Sequence, residues 1–180
     1  MGGKYKLLPQ ILPLFPSKID TFVDLFGGGA NVSVNVNANR VVYNDKLMDV
    51  TMLLYDLYVQ DLDESLFGID SLIEKYRLSK TNKEGYLNLR ADFNFGNFPA
   101  TVNPNLAFYV LICYSFNNQI RFNSRLEFNM PFGKGRSSFN PSLRNKFIRF
   151  VNRLQEMNIT FSSNDFRQIN FSGLTSDDFV

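Results

Sequence analysis

Histidine is absent from all 180 residues. That excludes a Ser-His-Asp triad, a Cys-His pair and any His-ligated zinc within this chain. Tryptophan is absent too, and aromatic bulk comes from 19 Phe and 8 Tyr. Cys113 is the single cysteine, so no disulfide forms within the chain, which fits a reducing compartment. It sits in the apolar stretch Ala107–Cys113 and reads as a core filler. No apolar run approaches the roughly 20 residues that span a bilayer. Met1-Gly2 misses the myristoylation pattern because Lys6 stands where Ser or Thr is needed. Neither a membrane nor a metal is an expected partner, no leader is expected, and the expected location is cytoplasmic.

What is present centres on Phe22-Val23-Asp24-Leu25-Phe26-Gly27-Gly28-Gly29-Ala30-Asn31. A short apolar run ending in an acid reads as a buried strand, and three glycines let the backbone turn sharply. A helix is expected to start at the end of that turn, its free N–H groups favouring an anionic or polar ligand edge. Strand, glycine turn and helix in that order suit a nucleotide-type cofactor in a doubly wound α/β fold. Such turns also occur with no ligand.

Residues 4–20 read as a helical lead-in ended by Pro16, with Leu7, Leu8, Ile11, Leu12 and Leu14 as its apolar set. Arg40–Asp45 is a second strand ending in an acid, and 46–60 a helix with Leu47, Val50, Leu54 and Leu57 on one face. This β-α-β-α alternation predicts a parallel sheet. Helices follow over 64–78, 83–92 and from Asn103-Pro104 to about Tyr114, with proline at the first helical position. Residues 115–140 have no sustained period and read as loop or irregular hairpin. Asn140-Pro141 opens a helix over 141–156, Ile159–Phe161 is a short strand, and Phe179-Val180 begins another. The simplest organisation is an α/β core split by a helical insertion of about 80 residues.

Asp45 follows Gly29 at a separation that lets an acid accept both ribose hydroxyls of a nucleotide cofactor. It equally suits a cap for helix 46–60. Asp165, just beyond the third strand, is another acceptor at the same sheet edge, with Phe166 beside it as a stacking face. Segment 113–154 differs in character. Arg121, Arg125, Lys134, Arg136, Arg144, Lys146, Arg149 and Arg153 face the single acid Glu127, a local charge of +7 in a chain of +2. Such asymmetry points to a polyanion-binding face. Phe116, Phe122, Phe128 and Phe132 interleave with Asn117, Asn118, Gln119, Asn123 and Asn129. Amides and arginines read base edges, while lysines and arginines meet phosphates.

Four stretches, in this order, resemble the Dam-type DNA adenine-N6 methyltransferases. They are Gly2–Pro9, Phe22–Asn31, Tyr43-Asn44-Asp45, and Arg121–Gly133 with its Phe-Asn-Met-Pro-Phe-Gly ending. The resemblance covers essentially the whole chain. It implies a Rossmann-like, S-adenosylmethionine-dependent core carrying a mostly helical inserted target-recognition domain. The expected division is 1–58 with 137–180 for the cofactor core and 59–136 for the insertion. By the resemblance Lys4 lies near the cofactor carboxylate, and Phe26, Gly27, Gly28 and Gly29 form the cofactor loop. Asp45 accepts the ribose hydroxyls, and Asp165 with Phe166 flanks the adenine. Asn117, Arg121, Asn123, Arg125, Pro131, Lys134 and Arg136 are the DNA-binding candidates. Arg121 is the guanine-contact candidate, and Pro131 is placed near the flipped base.

Two departures shape the expectation. Residues 116–120 read Phe-Asn-Asn-Gln-Ile where such enzymes commonly have Tyr-Asn-Gly-Leu-Cys, and Asp-Pro-Pro-Tyr, the catalytic tetrad, is absent. The reading is therefore the N-terminal portion of a site-specific adenine-N6 methyltransferase of a restriction-modification or phage system. It acts on duplex DNA and is inactive alone, as a truncation, a fragment or one subunit completed by a C-terminal polypeptide. The alternative is a non-catalytic DNA-binding module whose α/β part is only scaffold. A dinucleotide oxidoreductase lacks its spaced-glycine fingerprint here, and Cys113 has no Pro-Cys context for cytosine-C5 chemistry.

Overall fold

The computed structural model describes residues 4–180. They form two compact units by internal contacts. Gln60–Arg149 make up a helical unit, and the described residues up to Val59 join Phe150–Val180 in a sheet unit. The sequence reading divides the chain at 136/137. The compact units instead divide inside the helix Pro141–Gln155, whose Phe147 packs at 4.9 Å on Tyr109 of the helical unit.

In the sheet unit, β1 (Thr21–Asp24), β2 (Arg40–Asn44) and β3 (Ile159–Ser162) are all parallel in the order β1-β2-β3. Thr21 pairs with Arg40 and Val41 with Ile159. Parallel strands are covered on both faces, and here Phe22, Val23, Val41 and Tyr43 are each at most 4% exposed. Phe179 bridges Phe22 in parallel on the other side of β1, as the apolar end of the sequence suggested, and stacks with Phe15 and Phe22. The α/β class and the parallel sheet follow the expected alternation.

Two expectations in this unit fail. The lead-in is broken: a 3-10 turn at Lys4–Leu7, the single turn α1 (Leu8–Ile11) and a 3-10 turn at Leu12–Leu14. Pro9 and Pro13 each remove an amide donor, which prevents one continuous helix. The helix expected after the glycine turn is also missing. Residues 28–35 form turns, with isolated bonds such as Val34 N to Ala30 O at 3.0 Å. Alternating Asn and Val disfavour helix here, since Asn competes for backbone bonds and Val loses rotamer freedom. α2 (Met48–Val59) runs as predicted and buries Val50, Leu53, Leu54 and Leu57.

In the helical unit, local signals set the boundaries. α3 (Leu62–Lys75) is capped by Asp61, whose carboxylate accepts from Asp63 N and Glu64 N. α4 (Lys83–Phe95) is capped by Asn82 and ends at Gly96 in the left-handed region. α5 (Pro104–Tyr114) opens on an Asn103 cap followed by proline. Such caps contribute about 1 kcal/mol each. Ile69, Tyr86, Leu89, Phe108 and Leu111 are fully buried between these helices. Cys113 is buried among them as a filler, and burial pushes its thiol pKa up to about 12. The Asn140 side chain accepts from Leu143 N to start α6 (Pro141–Gln155). Between α5 and α6 lies the irregular hairpin, with bridges Ser115–Phe132 and Phe122–Phe128.

Candidate functional site

At the carboxyl ends of the strands the glycine turn is held from below and beside. A Cβ at Gly27 would meet the Tyr43 ring, so the aromatic itself demands the glycine there. Gly28 adopts φ +50, open to glycine without cost. Its amide donates to Asp45 Oδ2 at 2.8 Å, and its carbonyl accepts from the Tyr43 hydroxyl at 2.6 Å. Asp45 Oδ1 accepts from Leu47 N at 2.8 Å, which fixes the turn leading into α2 just ahead of its first residue, Met48. Each carboxylate oxygen keeps a lone pair for a further donor. Burial, then the neighbouring Asp45 charge, raises the Tyr43 pKa far above the usual phenol range, so it stays a neutral donor.

Asp24, at the end of β1, accepts from Ser33 Oγ at 2.6 Å. Desolvation raises its pKa, partly opposed by the bonds from Ser33. Asn44, given no role of its own in the sequence reading, makes four side-chain hydrogen bonds here. It is 1% exposed; its Nδ2 donates to Leu25 O and Asn164 O, and its Oδ1 accepts from Ser162 Oγ and Asn164 N. One amide thus ties the ends of all three strands. Its signals are a polar residue closing an apolar strand and its place in the Tyr43-Asn44-Asp45 stretch that carries the resemblance, neither of which shows the partners.

Asp165 lies on the same rim. Arg167 grips it with Nε at 2.7 Å and Nη2 at 2.8 Å, and Lys46 Nζ donates at 3.1 Å. The Arg167 guanidinium, then Lys46, holds its carboxyl well below the usual carboxylate range. Phe26 and Phe166 are 71% and 47% exposed, with ring centroids 5.5 Å apart. Phe26, Gly27, Gly28, Gly29, Asp45, Asp165 and Phe166 thus share one edge of the sheet unit. The side chain of Lys4 lies outside the described residues.

The hairpin of the helical unit separates its interleaved residues by face. Phe128 and Met130 are buried, with Phe122 T-stacked on Phe128. α4 fixes that side: Asn94 exchanges two bonds with the Phe128 backbone, and Tyr86 and Arg90 both donate to Met130 O. Asn117, Arg121, Arg125, Pro131, Lys134 and Arg136 are exposed. Arg121 Nε donates to Asn129 Oδ1 at 2.7 Å and its Nη2 to Asn129 O at 2.9 Å, so the guanidinium is oriented before any ligand arrives. Three of its five N–H groups have no part in that grip. Asn123 uses its amide within the tip, accepting from Arg125 N and Glu127 N and donating to Glu127 Oε2. Asn117 and Asn118 both take φ above +50, and the Asn118 amide donates to Ile112 O and Cys113 O, capping α5. Asn94 was not singled out from the sequence, and Asn129, grouped there with the base-reading amides, instead holds Arg121.

Among the described residues, no group of three or more His, Cys, Asp or Glu could hold a metal ion, and no helix is long and apolar enough to cross a membrane. The family model for D12 class N6 adenine-specific DNA methyltransferases matches residues 1–180. The chain is 46% identical to the type II methyltransferase M.FokI of Planomicrobium okeanokoites over all of its length, covering 27% of that protein. It is 44% identical to the modification methylase StsI of Streptococcus sanguinis, again over its full length and 27% of the relative. Against the DNA adenine methylase of Escherichia coli K12 the identity is 31%, covering 78% of this chain and 48% of that one. The chain therefore spans about a quarter of the length of the first two relatives.

Proposed function

The chain belongs to the D12 class of N6 adenine-specific DNA methyltransferases, and from that membership we propose that its sheet unit is a Rossmann-like core holding S-adenosylmethionine while its helical unit binds duplex DNA. One observation carries the reading. Asp45, with both oxygens already oriented by Gly28 N and Leu47 N, shares a sheet edge with two exposed rings, Phe26 and Phe166. An acid with spare lone pairs suits ribose hydroxyls, and exposed rings suit an adenine face. The residues present therefore fit the cofactor, which supplies an electrophilic methyl group when bound. Lys4, Phe26–Gly29, Asp45, Asp165 and Phe166 are the residues assigned to hold it.

The DNA reading rests on the cations that the hairpin leaves exposed, with Arg121 pre-oriented as a two-pronged donor. Arginine in that state suits the O6 and N7 acceptors of guanine. The target adenine must leave the stack to be methylated, and Asn117 and Pro131 are assigned to that neighbourhood. The groups that grip its amino nitrogen are not among these residues, since Asp-Pro-Pro-Tyr does not occur in them. We assign them to polypeptide outside this stretch, whether continuous with it or a separate complementing chain, in a restriction-modification system.

Calorimetric titration with S-adenosylmethionine is the test. The chain binds, and Asp45→Ala weakens binding at least about tenfold by removing a bidentate acceptor. Equal affinity in wild type and variant sinks the assignment of Asp45. A second reading has its own observation: the space at Gly27 is filled by Tyr43, which gives that glycine a purely internal reason. Under it the sheet unit is scaffold for a DNA-binding module, and no heat of cofactor binding appears at any concentration.

A further inference from the structure

The basic stretch singled out in the sequence begins at residue 113, yet the helical unit carries a second run of cations outside it. Between α3 and α4 the chain reads Arg77-Leu78-Ser79-Lys80-Thr81-Asn82-Lys83. The Gly135 amide donates to Lys80 O at 2.8 Å, which seats this loop against the Lys134-Gly135-Arg136 turn at the base of the hairpin. Arg77, Lys80, Lys83, Lys134 and Arg136 are all exposed. Among the described residues none of the five is joined to an acid by an ion pair.

The loop is also built to hold its shape. Ser79 Oγ accepts from Thr81 N and Asn82 N, and Asn82 Nδ2 donates to Arg77 O at 2.8 Å while its Oδ1 accepts from Gly85 N. Leu78 is buried as the anchor. Arg77 occupies the left-handed position that ends α3, at φ +49, where glycine is the unstrained choice. Left-handed backbone disfavours a residue with a Cβ relative to glycine, so an exposed arginine is the strained choice there. A fixed turn of like charges with no acid ion-paired to it suits an anion that is itself extended, as the phosphate backbone of a duplex is.

We propose that the Arg77–Lys83 loop is a second phosphate-contacting element, joined to the Lys134–Arg136 turn, so that the helical unit grips duplex backbone through two chain segments. Lys80 is its centre, because its own backbone is bonded to the hairpin base. Lys83 contributes less, since Glu84 follows it at the start of α4. The inference rests on the DNA reading above and deepens it by placing a contact outside the recognised basic stretch.

The experiment is fluorescence anisotropy of the full chain on a short duplex, across about 50 to 200 mM salt. Lys80→Ala and Arg77→Gly are each expected to weaken binding about three- to tenfold near 0.1 M salt and to lower the log–log salt slope by about 0.9. The loss is the same for any duplex sequence, as phosphate contacts carry no sequence information. Arg77→Gly removes the charge while relaxing the backbone, so its thermal midpoint is at least that of wild type. Lys18→Ala, an exposed lysine of the sheet unit, leaves affinity and slope unchanged. A wild-type chain that binds, with the Arg77→Gly/Lys80→Ala double variant matching it at every salt, overturns the loop's role alone. No binding by the wild-type chain at low salt overturns the DNA reading, and this inference with it.

Discussion

Asn44 and Arg121 are both polar side chains fixed by more than one hydrogen bond, and they show how differently the two units are made. Asn44 is sealed at the strand ends, with four bonds that all stay within the protein. Arg121 stands in solvent, and Asn129 engages only part of its donor set. The sheet edge is thus a buried polar lattice that presents a few atoms outward. The hairpin is an apolar underside that presents many charges. Function at the first should collapse with one internal residue. At the second it should decline in steps, one contact and one counterion at a time.

The sharpest test of that contrast is Asn44→Ala. It leaves the carbonyls of Leu25 and Asn164, the Asn164 amide and the Ser162 hydroxyl without that partner at a part-buried site. A fully buried orphaned group costs about 1–3 kcal/mol, and these part-buried ones each cost less, since water and relaxation recover part of it. A loss of about 3 kcal/mol in urea-unfolding stability is expected. A loss under about 1 kcal/mol would mean that water replaces the amide and that the lattice is not cooperative.

Arg121→Lys probes the other side with a smaller effect. Lysine keeps the charge but lacks the planar fork, so neither the Asn129 grip nor a two-pronged base contact survives. DNA affinity is expected to fall by about 1–2 kcal/mol with stability unchanged and the salt slope nearly constant. A variant that binds as tightly as wild type reduces Arg121 to a point charge, and the hairpin to a purely electrostatic surface.

How much of this was legible in the sequence follows the same division. Caps and breaks are local, so Asn103-Pro104 and Asn140-Pro141 mark helix starts that the structure keeps. Apolar runs before Asp24 and Asp45 give the parallel strands for the same reason. The helix expected after Gly29 fails because glycine turns signal only a bend, and residues 30–36 continue it as helix only if Asn and Val can hold one. Asn44, Asn94 and Asn129 look alike in sequence. Only partners brought together by folding decide that one ties the strands, one clamps a hairpin and one orients an arginine. The Lys80 loop escaped because a charge window sees neighbours along the chain, and its neighbour is Gly135.

The smallest expected effect lies within the sheet unit, where two acids on one edge are shifted in opposite directions. Desolvation raises the Asp24 pKa, so this group contributes stability that is complete below the ordinary carboxylate range and is lost as pH rises through its folded value. Arg167 and then Lys46 lower that of Asp165, so its contribution is present above the ordinary range and is lost as pH falls through its depressed value. Urea midpoints taken in steps from about pH 3 to about pH 8 separate the two. Asp24→Asn should flatten the decline toward neutral pH, because the amide can still accept from Ser33 without carrying a buried charge. Asp165→Asn should flatten the decline toward acid, and by less, since an exposed ion pair is screened by solvent. If both substitutions flatten the same limb, the two carboxylates titrate as one coupled network through Asp45 and Lys46, and the sheet edge is a single electrostatic unit rather than a buried lattice with a charged rim.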